Sequence, residues 1–209
     1  MIKRISLLLS IVTSLVLAST AIAAKAPDKV VQDTFNQVVS NIQANRALYS
    51  GNTQALYKML EKDLVPSLNI PFMVDMILGK ELATTTPAAK RAELATEFKR
   101  LLLRTYATGI LYATGDEKVV YEPVNVAPDA YRTDVNLKLI TAQGGEFPIK
   151  LQMTTRKSRW SMENTGQWRA YNLEVAGQNI ARLYRSTFAS TLKSKGVDGL
   201  IQSLRSKNS

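Results

Sequence analysis

Apolar residues recur at helical spacing through the first half of the chain. They predict an amphipathic helix over residues 28–48, a second short helix over 56–64, and a third over 72–78 that closes at Gly79. Thr86-Pro87 predicts the start of a long helix to about Ala113, since proline is favoured in the first helical turn. The apolar positions that define the first and last of these helices are Val31, Phe35, Val38, Val39, Ile42, Leu94, Phe98, Leu101, Leu102, Tyr106 and Ile110.

From Lys118 onward the apolar period changes from 3.6 to 2. Five strands are predicted, over 118–126, 131–141, 146–155, 158–163 and 167–176, with hairpin turns at Gly144-Gly145 and Thr165-Gly166. Alternation places the apolar side chains on one face of an antiparallel sheet. Amphipathic helices return after residue 180. The order of elements therefore predicts an α+β fold, in which a twisted antiparallel sheet has one apolar face covered by helices that enclose a cleft.

The first residues have the layout of a secretory signal peptide. Lys3 and Arg4 precede an apolar stretch, and Ala21 and Ala23 form an A-x-A cleavage site. We therefore expect residues 1–23 to be removed and residues 24–209 to form a single exported domain. Cleavage would lower the formal charge from +10 to +8. A basic exported protein favours a membrane surface or an acidic partner over nucleic acid.

The missing residue types narrow the chemistry. The sequence contains no Cys and no His, which excludes a disulfide framework, a lipid anchor on cysteine, nucleophile activation by histidine and the usual zinc ligand sets. No glycine-rich nucleotide motif or calcium loop is present. Acidic residues such as Glu93 and Glu97 are scattered along polar helix faces. We therefore predict a protein without catalytic activity or cofactor.

Two segments carry a family resemblance. Residues 70–111, IPFMVDMILGKELATTTPAAKRAELATEFKRLLLRTYATGIL, contain L-G before the long helix and F-x-x-L-L-x-x-Y-A within it. Residues 168–204, WRAYNLEVAGQNIARLYRSTFASTLKSKGVDGLIQSL, contain W-x-x-Y followed by Y-R, F and G-x-D-x-L-I. In combination these motifs resemble the periplasmic MlaC family, also called the toluene-tolerance family.

The resemblance implies a periplasmic phospholipid carrier of the pathway that maintains outer-membrane lipid asymmetry. Its expected partners are phospholipid, an inner-membrane ABC transporter with an MCE-domain subunit, and an outer-membrane lipoprotein associated with a porin. Two alternatives stay open: a periplasmic chaperone for lipidated proteins, which would also need an apolar cleft, and a small-ligand enzyme on the same class of fold. The missing His and Cys disfavour the enzyme.

A lipid cleft would be lined by the apolar faces of the sheet and of the helices beside it. An apolar stripe is usually close-packed core, and the resemblance favours a cleft for this group as a whole. The predicted lining residues are Val74, Ile77, Tyr106, Ile110, Val135, Leu137, Leu139, Ile149, Leu151, Met153, Tyr171, Leu173, Ile180 and Tyr184.

Basic residues form two groups, which are either solvated surface or docking positions. One group lies at Arg156, Lys157 and Arg159, and the other follows helix positions that include Arg100 and Arg104. Arg182 and Arg185 also belong to the second group. They flank Tyr184, so that we expect them near the mouth of the cleft.

Overall fold

A computed structural model describes residues 25–112 and 116–208. The expectations for the signal peptide and for a helix end at Ala113 lie outside the described residues. The described chain contains five helices: α1 (Pro27–Gly51), α2 (Thr53–Asp63), α3 (Ile70–Thr85), α4 (Ala88–Leu111) and α5 (Ile180–Asn208). A 3₁₀ turn (Val65–Ser67) joins α2 to α3. Among these residues, no helix combines the length and apolar character needed to cross a bilayer.

Asparagine side chains begin several of these helices. The Asn52 Oδ1 atom accepts the Ala55 N–H at 3.0 Å and starts α2. Asn69, which is fully buried, accepts the Phe72 N–H at 3.1 Å and donates through Nδ2 to the Arg156 carbonyl at 2.7 Å. The side chain of Asn69 therefore satisfies an orphan donor of α3 and fastens this helix to the sheet.

Two helices are kinked at glycine. Gly79 in α3 has φ of 74°, and Gly196 in α5 has φ of 64°. The prediction that the third helix closes at Gly79 is wrong in extent, because the chain resumes a helix after the kink and continues to Thr85. The prediction for Thr86-Pro87 is displaced by one residue: Pro87 occupies the N-cap of α4, whereas Thr86 is the C-cap of α3.

The sheet has five antiparallel strands in the order β1-β2-β3-β4-β5. This arrangement confirms the α+β class and the antiparallel sheet. The bounds of the strands are β1 (Lys118–Tyr121), β2 (Arg132–Ile140), β3 (Glu146–Arg156), β4 (Asn164–Val175) and β5 (Gln178–Asn179). The turn at Gly144-Gly145 is confirmed, with the Gly144 N–H donating to the Thr141 carbonyl at 2.9 Å.

The third strand of the sheet is followed by a loop where the alternation predicts another strand. Residues 158–163 form the loop of the β3–β4 hairpin, closed by the Lys157 N–H donating to the Glu163 carbonyl at 3.0 Å. The predicted turn at Thr165-Gly166 lies inside β4 instead. The apolar residues that alternate in this segment, Trp160 and Met162, are exposed on the loop and do not belong to a strand.

A bulge in β4 changes which of its residues share a face. Gln152 pairs with Asn172 and Met153 pairs with Ala170, so that Tyr171 is an extra residue on β4. Consequently Ala170 and Leu173, three positions apart, both reach the helix-covered face. The Asn69 N–H donates to the Ala170 carbonyl at 2.7 Å, so that the segment before α3 covers the edge of β4 at this point.

Three apolar clusters hold the layers together. The α3–α4–α5 cluster is centred on Val74, Leu94, Phe98 and Leu200. The α1–α2–α4 cluster includes Ile42, Leu60 and Leu103, and the sheet–α1 cluster includes Val135, Met153 and Trp168. Most of the apolar packing is therefore concentrated in three clusters.

A carboxylate on α4 ties the end of α5 to this bundle. Glu97 is buried and accepts from Arg100 Nη1 at 3.0 Å, from Arg205 Nε at 3.4 Å and from Asn208 Nδ2 at 3.1 Å. Burial acts to raise the pKa of Glu97, but the Asn208 hydrogen bond and the two guanidinium charges outweigh it. The pKa of Glu97 therefore lies below its usual 4.5.

Candidate functional site

A first apolar cavity lies between α1 and the sheet and has a volume of about 280 Å³. Helix α1 supplies one wall through Val30, Val31, Phe35, Val38 and Val39. The opposite wall comes from the apolar face of the sheet. Its members are Val119, Leu137, Leu139, Ile149, Leu151, Met153, Ala170 and Leu173.

The second cavity lies among α3, α4, the start of α5 and β4, and has a volume of about 290 Å³. Helix α4 contributes Phe98, Leu102, Leu103, Tyr106 and Ile110. The remaining apolar wall is Leu64, Val65, Leu68, Ile70, Met73, Leu151, Ala170, Tyr171, Leu173, Ile180 and Ala181.

The two cavities adjoin each other along a shared wall. Leu64, Leu68, Ile110, Leu151, Ala170 and Leu173 border both. Leu151 stands at the middle of β3, between Val135 of β2 and Leu173 of β4. The site is therefore two apolar compartments that meet at Leu151 under the long helices.

Three polar side chains at the cavities bond to other parts of the protein. In the first cavity, Ser67 Oγ donates to the Leu64 carbonyl at 2.7 Å. In the second, Lys99 pairs with Glu61 at 2.6 Å. Asn172 donates to Gln152 Oε1 at 2.8 Å and accepts the Ala181 N–H at 3.0 Å. Because these groups are already paired, the site favours an apolar ligand over a polar one.

Two tyrosines at or beside the second cavity, Tyr171 and Tyr184, have raised pKa values. Tyr106 and Tyr184 lie with their hydroxyl oxygens 3.5 Å apart. Burial raises the pKa of Tyr184 far above its usual 10.0, and the hydrogen bond with Tyr106 adds to this effect. Burial also raises the pKa of Tyr171. Tyr171 and Tyr184 therefore place no negative charge at or beside the cavity at neutral pH.

The structure brings together ten of the fourteen predicted lining residues. Tyr106, Ile110, Leu137, Leu139, Ile149, Leu151, Met153, Tyr171, Leu173 and Ile180 all border one or both cavities. That these residues contact lipid stays a prediction.

Four predicted lining residues lie in close-packed core instead. Val74, Ile77 and Tyr184 belong to the α3–α4–α5 cluster, where the Tyr184 ring packs edge-on against Phe98 at a centroid distance of 5.0 Å. Val135 is fully buried in the sheet–α1 cluster. The period of a strand or helix fixes the face that a residue occupies, but not whether the opposite layer contacts it or leaves a gap.

Helix α1 is the wall missing from the predicted lining. Its apolar positions Val31, Phe35, Val38 and Val39 were identified as a buried face, and all four border the first cavity. The width of this apolar face is ordinary for a helix that packs on a core, so the sequence does not distinguish the cavity wall from a packed face. Leu68 carries no signal either, because its place depends on the contact with the β4 bulge.

Arg182 and Arg185 are not among the residues that line either cavity. The Arg185 guanidinium lies beside the kink at Gly79, 3.4 Å from the position that a Cβ there would take. The charged residue that does border a cavity is Lys99, on α4.

Comparisons with known proteins agree with this architecture. The chain is 26% identical over 178 residues to the toluene tolerance protein ttg2D of Pseudomonas putida, covering 85% of this chain and 78% of that protein. It is 25% identical over 203 residues to the intermembrane phospholipid transport system binding protein MlaC of Haemophilus influenzae, covering 97% and 92%.

A solved structure shares the fold. The phospholipid-binding protein of Ralstonia solanacearum, in complex with a phospholipid, superposes with a TM-score of 0.74 at 22% identity, over 88% of this chain and 97% of that chain. The family model described as MlaC protein matches residues 32–206. The match spans most of the sequence, from within α1 to within α5, and on this ground the chain belongs to the MlaC protein family.

Proposed function

We propose that this protein is a periplasmic carrier that holds the acyl chains of a phospholipid in its two adjoining cavities. The observation that carries the proposal is the pair of apolar compartments meeting at Leu151. Membership of the family supports it, as do the phospholipid-binding descriptions of the relatives.

The energetics explain why such a carrier is needed. A phospholipid has roughly 30 chain methylenes, and exposing each to water costs about 0.8 kcal/mol, or on the order of 25 kcal/mol in total. Lipid therefore does not cross an aqueous compartment freely. An apolar site in which the acyl chains have nearly the same free energy as in the bilayer removes this barrier. The site must not bind the lipid so tightly that the lipid is never released.

No catalytic step is part of the proposal. The carrier would exchange its cargo with an inner-membrane ABC transporter bearing an MCE-domain subunit and with an outer-membrane lipoprotein associated with a porin. These partners follow from the family. Export would be followed by cleavage of the signal peptide near Ala23, which leaves a mature chain starting at Ala24 or Lys25. Intact-mass analysis of the periplasmic fraction tests this step, and a membrane-bound form that retains Met1 would contradict it.

Native mass spectrometry of the freshly isolated protein tests the carrier function. We expect phospholipid at about one molecule per chain, with little headgroup preference, because burial of the acyl chains dominates the free energy. Extraction separates the alternative, since a chaperone for lipidated proteins would copurify with acylated protein instead. A protein that is isolated empty and takes up no phospholipid from vesicles would refute the proposal.

A further inference from the structure

Arginines converge on a group of aromatic rings at the end of the sheet where β2 begins and β3 ends. The Cζ atom of Arg132 lies 5.2 Å from the ring centroid of Phe72, 5.4 Å from that of Tyr131 and 5.9 Å from that of Tyr171. The Cζ atom of Arg156 lies 3.6 Å from the Tyr131 centroid. Stacking on rings fixes these guanidinium groups while leaving their N–H donors available.

The hairpin loop after β3 adds a third arginine and two exposed apolar side chains. The Cζ atom of Arg159 lies 5.3 Å from the ring centroid of Trp160. Trp160 is 41% exposed and Met162 is 78% exposed. The loop is fixed by backbone hydrogen bonds, so that these side chains are presented on an ordered turn.

The three guanidinium groups have no carboxylate partner within 4.0 Å among the described residues. Of the neighbouring acids, Asp75 pairs with the Arg91 guanidinium at 3.3 Å and accepts the backbone N–H of Arg159 at 3.0 Å, and Glu163 pairs with Lys157 at 3.0 Å. Asp134 affects the nearby ring of Tyr171 but makes no ion pair with the three arginines. The guanidinium charges of Arg132, Arg156 and Arg159 are therefore not neutralised by an ion pair with any described residue.

We propose that this surface docks on an anionic phospholipid membrane. It consists of Tyr131, Arg132, Arg156, Arg159, Trp160 and Met162, and we call it the arginine tip. Guanidinium groups bind phosphate oxygens through paired hydrogen bonds. Tryptophan and an exposed apolar side chain suit the boundary between headgroups and acyl chains.

The exposed Met162 favours a membrane over an acidic protein. Charge alone would satisfy an acidic partner, whereas a methionine side chain that is 78% exposed gains free energy only where apolar material covers it. The tip is also close to the site: the ring of Tyr171 borders the second cavity and lies 5.9 Å from Arg132. The biological role of docking rests on the proposed carrier function. The interactions that would hold the protein on the membrane do not involve the cavities.

Flotation with vesicles of phosphatidylglycerol and phosphatidylcholine tests the proposal. We expect the protein to bind phosphatidylglycerol vesicles at low salt and to be released as salt screens the surface. Each basic residue near an anionic surface contributes about 1 kcal/mol, or roughly fivefold in partition. The triple variant Arg132→Gln/Arg156→Gln/Arg159→Gln should therefore bind roughly 100-fold more weakly. The matched control, Lys58→Gln/Lys193→Gln/Lys195→Gln, removes the same charge from exposed positions elsewhere and should bind nearly as the original protein does.

The apolar part of the tip has its own variant and its own reporter. Met162→Ser changes an exposed side chain that supports no core contact, so it should fold normally and weaken vesicle binding severalfold. Trp160 and Trp168 are the two tryptophans of the chain. In Trp168→Phe, the remaining Trp160 should shift its emission to the blue on phosphatidylglycerol vesicles and be quenched by brominated chains. In Trp160→Phe, the buried Trp168 should show neither effect.

Several outcomes would overturn the proposal. These are equal vesicle binding by the arginine variant and its lysine control, no response of Trp160, or retention by an immobilised acidic protein with no binding to vesicles. Native mass spectrometry of the arginine variant separates this proposal from the carrier function. If the arginine variant still carries lipid but no longer binds vesicles, the arginine tip is supported. If the variant carries lipid and binds vesicles as the original protein does, the tip is refuted and the carrier function is not. An original protein that carries no lipid refutes the carrier function, whereas the vesicle result still decides the tip.

Discussion

Replacing Leu151 with Trp sets an acyl-chain site directly against a packed core. Leu151 borders both cavities, so that free volumes of about 280 and 290 Å³ adjoin its side chain. An indole can enter either space without displacing protein atoms. We therefore expect the free energy of unfolding of the delipidated protein to fall by less than about 1 kcal/mol, compared with about 1–3 kcal/mol for overpacking a filled interior.

The effect on lipid should be large. An indole in this position takes space for roughly three or four chain methylenes, and each displaced methylene forfeits about 0.8 kcal/mol. The loss of about 2–3 kcal/mol corresponds to an affinity roughly 50- to 100-fold lower. Chemical denaturation of delipidated protein and phospholipid uptake from vesicles measure the two effects separately. Delipidation matters because bound lipid raises apparent stability by mass action.

Leu94→Trp is the matched control. Leu94 is 1% exposed, lies in the α3–α4–α5 cluster and borders neither cavity. The same change should there cost about 1–3 kcal/mol or more. If Leu151→Trp destabilises the delipidated protein as strongly as Leu94→Trp does, or leaves lipid uptake unchanged, Leu151 does not line an acyl-chain site.

Three further predictions concern stability. Asn69→Ala should lower the free energy of unfolding by about 2–4 kcal/mol in chemical denaturation, because it removes a helix cap and leaves buried backbone groups unpaired; an effect below about 1 kcal/mol would show that solvent replaces these bonds. Because the pKa of Glu97 is lowered in the folded protein, ionised Glu97 contributes stability above pH 4.5 that is lost as the pH falls through the folded-state pKa. The midpoint of thermal unfolding should therefore fall less on acidification in Glu97→Gln than in the original protein, and identical pH profiles would contradict this. Gly79→Ala should destabilise the protein by about 1–2 kcal/mol because Gly79 has a positive φ, whereas Gly109→Ala, in an open helical position, should stabilise it by about 0.5–1 kcal/mol. If the denaturation midpoints of the two variants move in the same direction, the kink is wrongly assigned to Gly79.

The sequence predicted elements well where one periodicity extends over many residues. The long helix α4 and the alternation of β2 and β3 fall into this class. The prediction failed at 158–163, where Trp160 and Met162 alternate with polar residues in the manner of a strand. Local alternation does not distinguish a half-buried strand from a loop that exposes apolar groups, because the difference lies in what covers them.

The sequence predicted which face of a strand or helix a site residue occupies, but not whether that residue borders a cavity. Leu137, Leu139 and Val135 share one face of β2, yet the first two border a cavity and the third is fully buried. Likewise, the β4 bulge at Tyr171 places Ala170 and Leu173 on one side of the sheet, against the simple alternation. Whether an apolar residue meets a neighbour or a void depends on the distance between layers, which no single segment encodes.

The distribution of packing explains how this fold can hold a cavity and remain folded when empty. Most of the fully buried apolar side chains belong to three clusters, whereas cavity residues such as Leu68, Leu102, Ile149 and Leu151 are only partly buried and pack against those clusters. Dispersion contacts are lost where a side chain faces a void, so that these cavity residues contribute less to stability than the clusters do. In the proposed carrier, acyl chains that fill the void would restore those contacts without moving the clusters. Lipid can then enter and leave at a free-energy difference set by the cavity residues, while the clusters that maintain the fold stay intact.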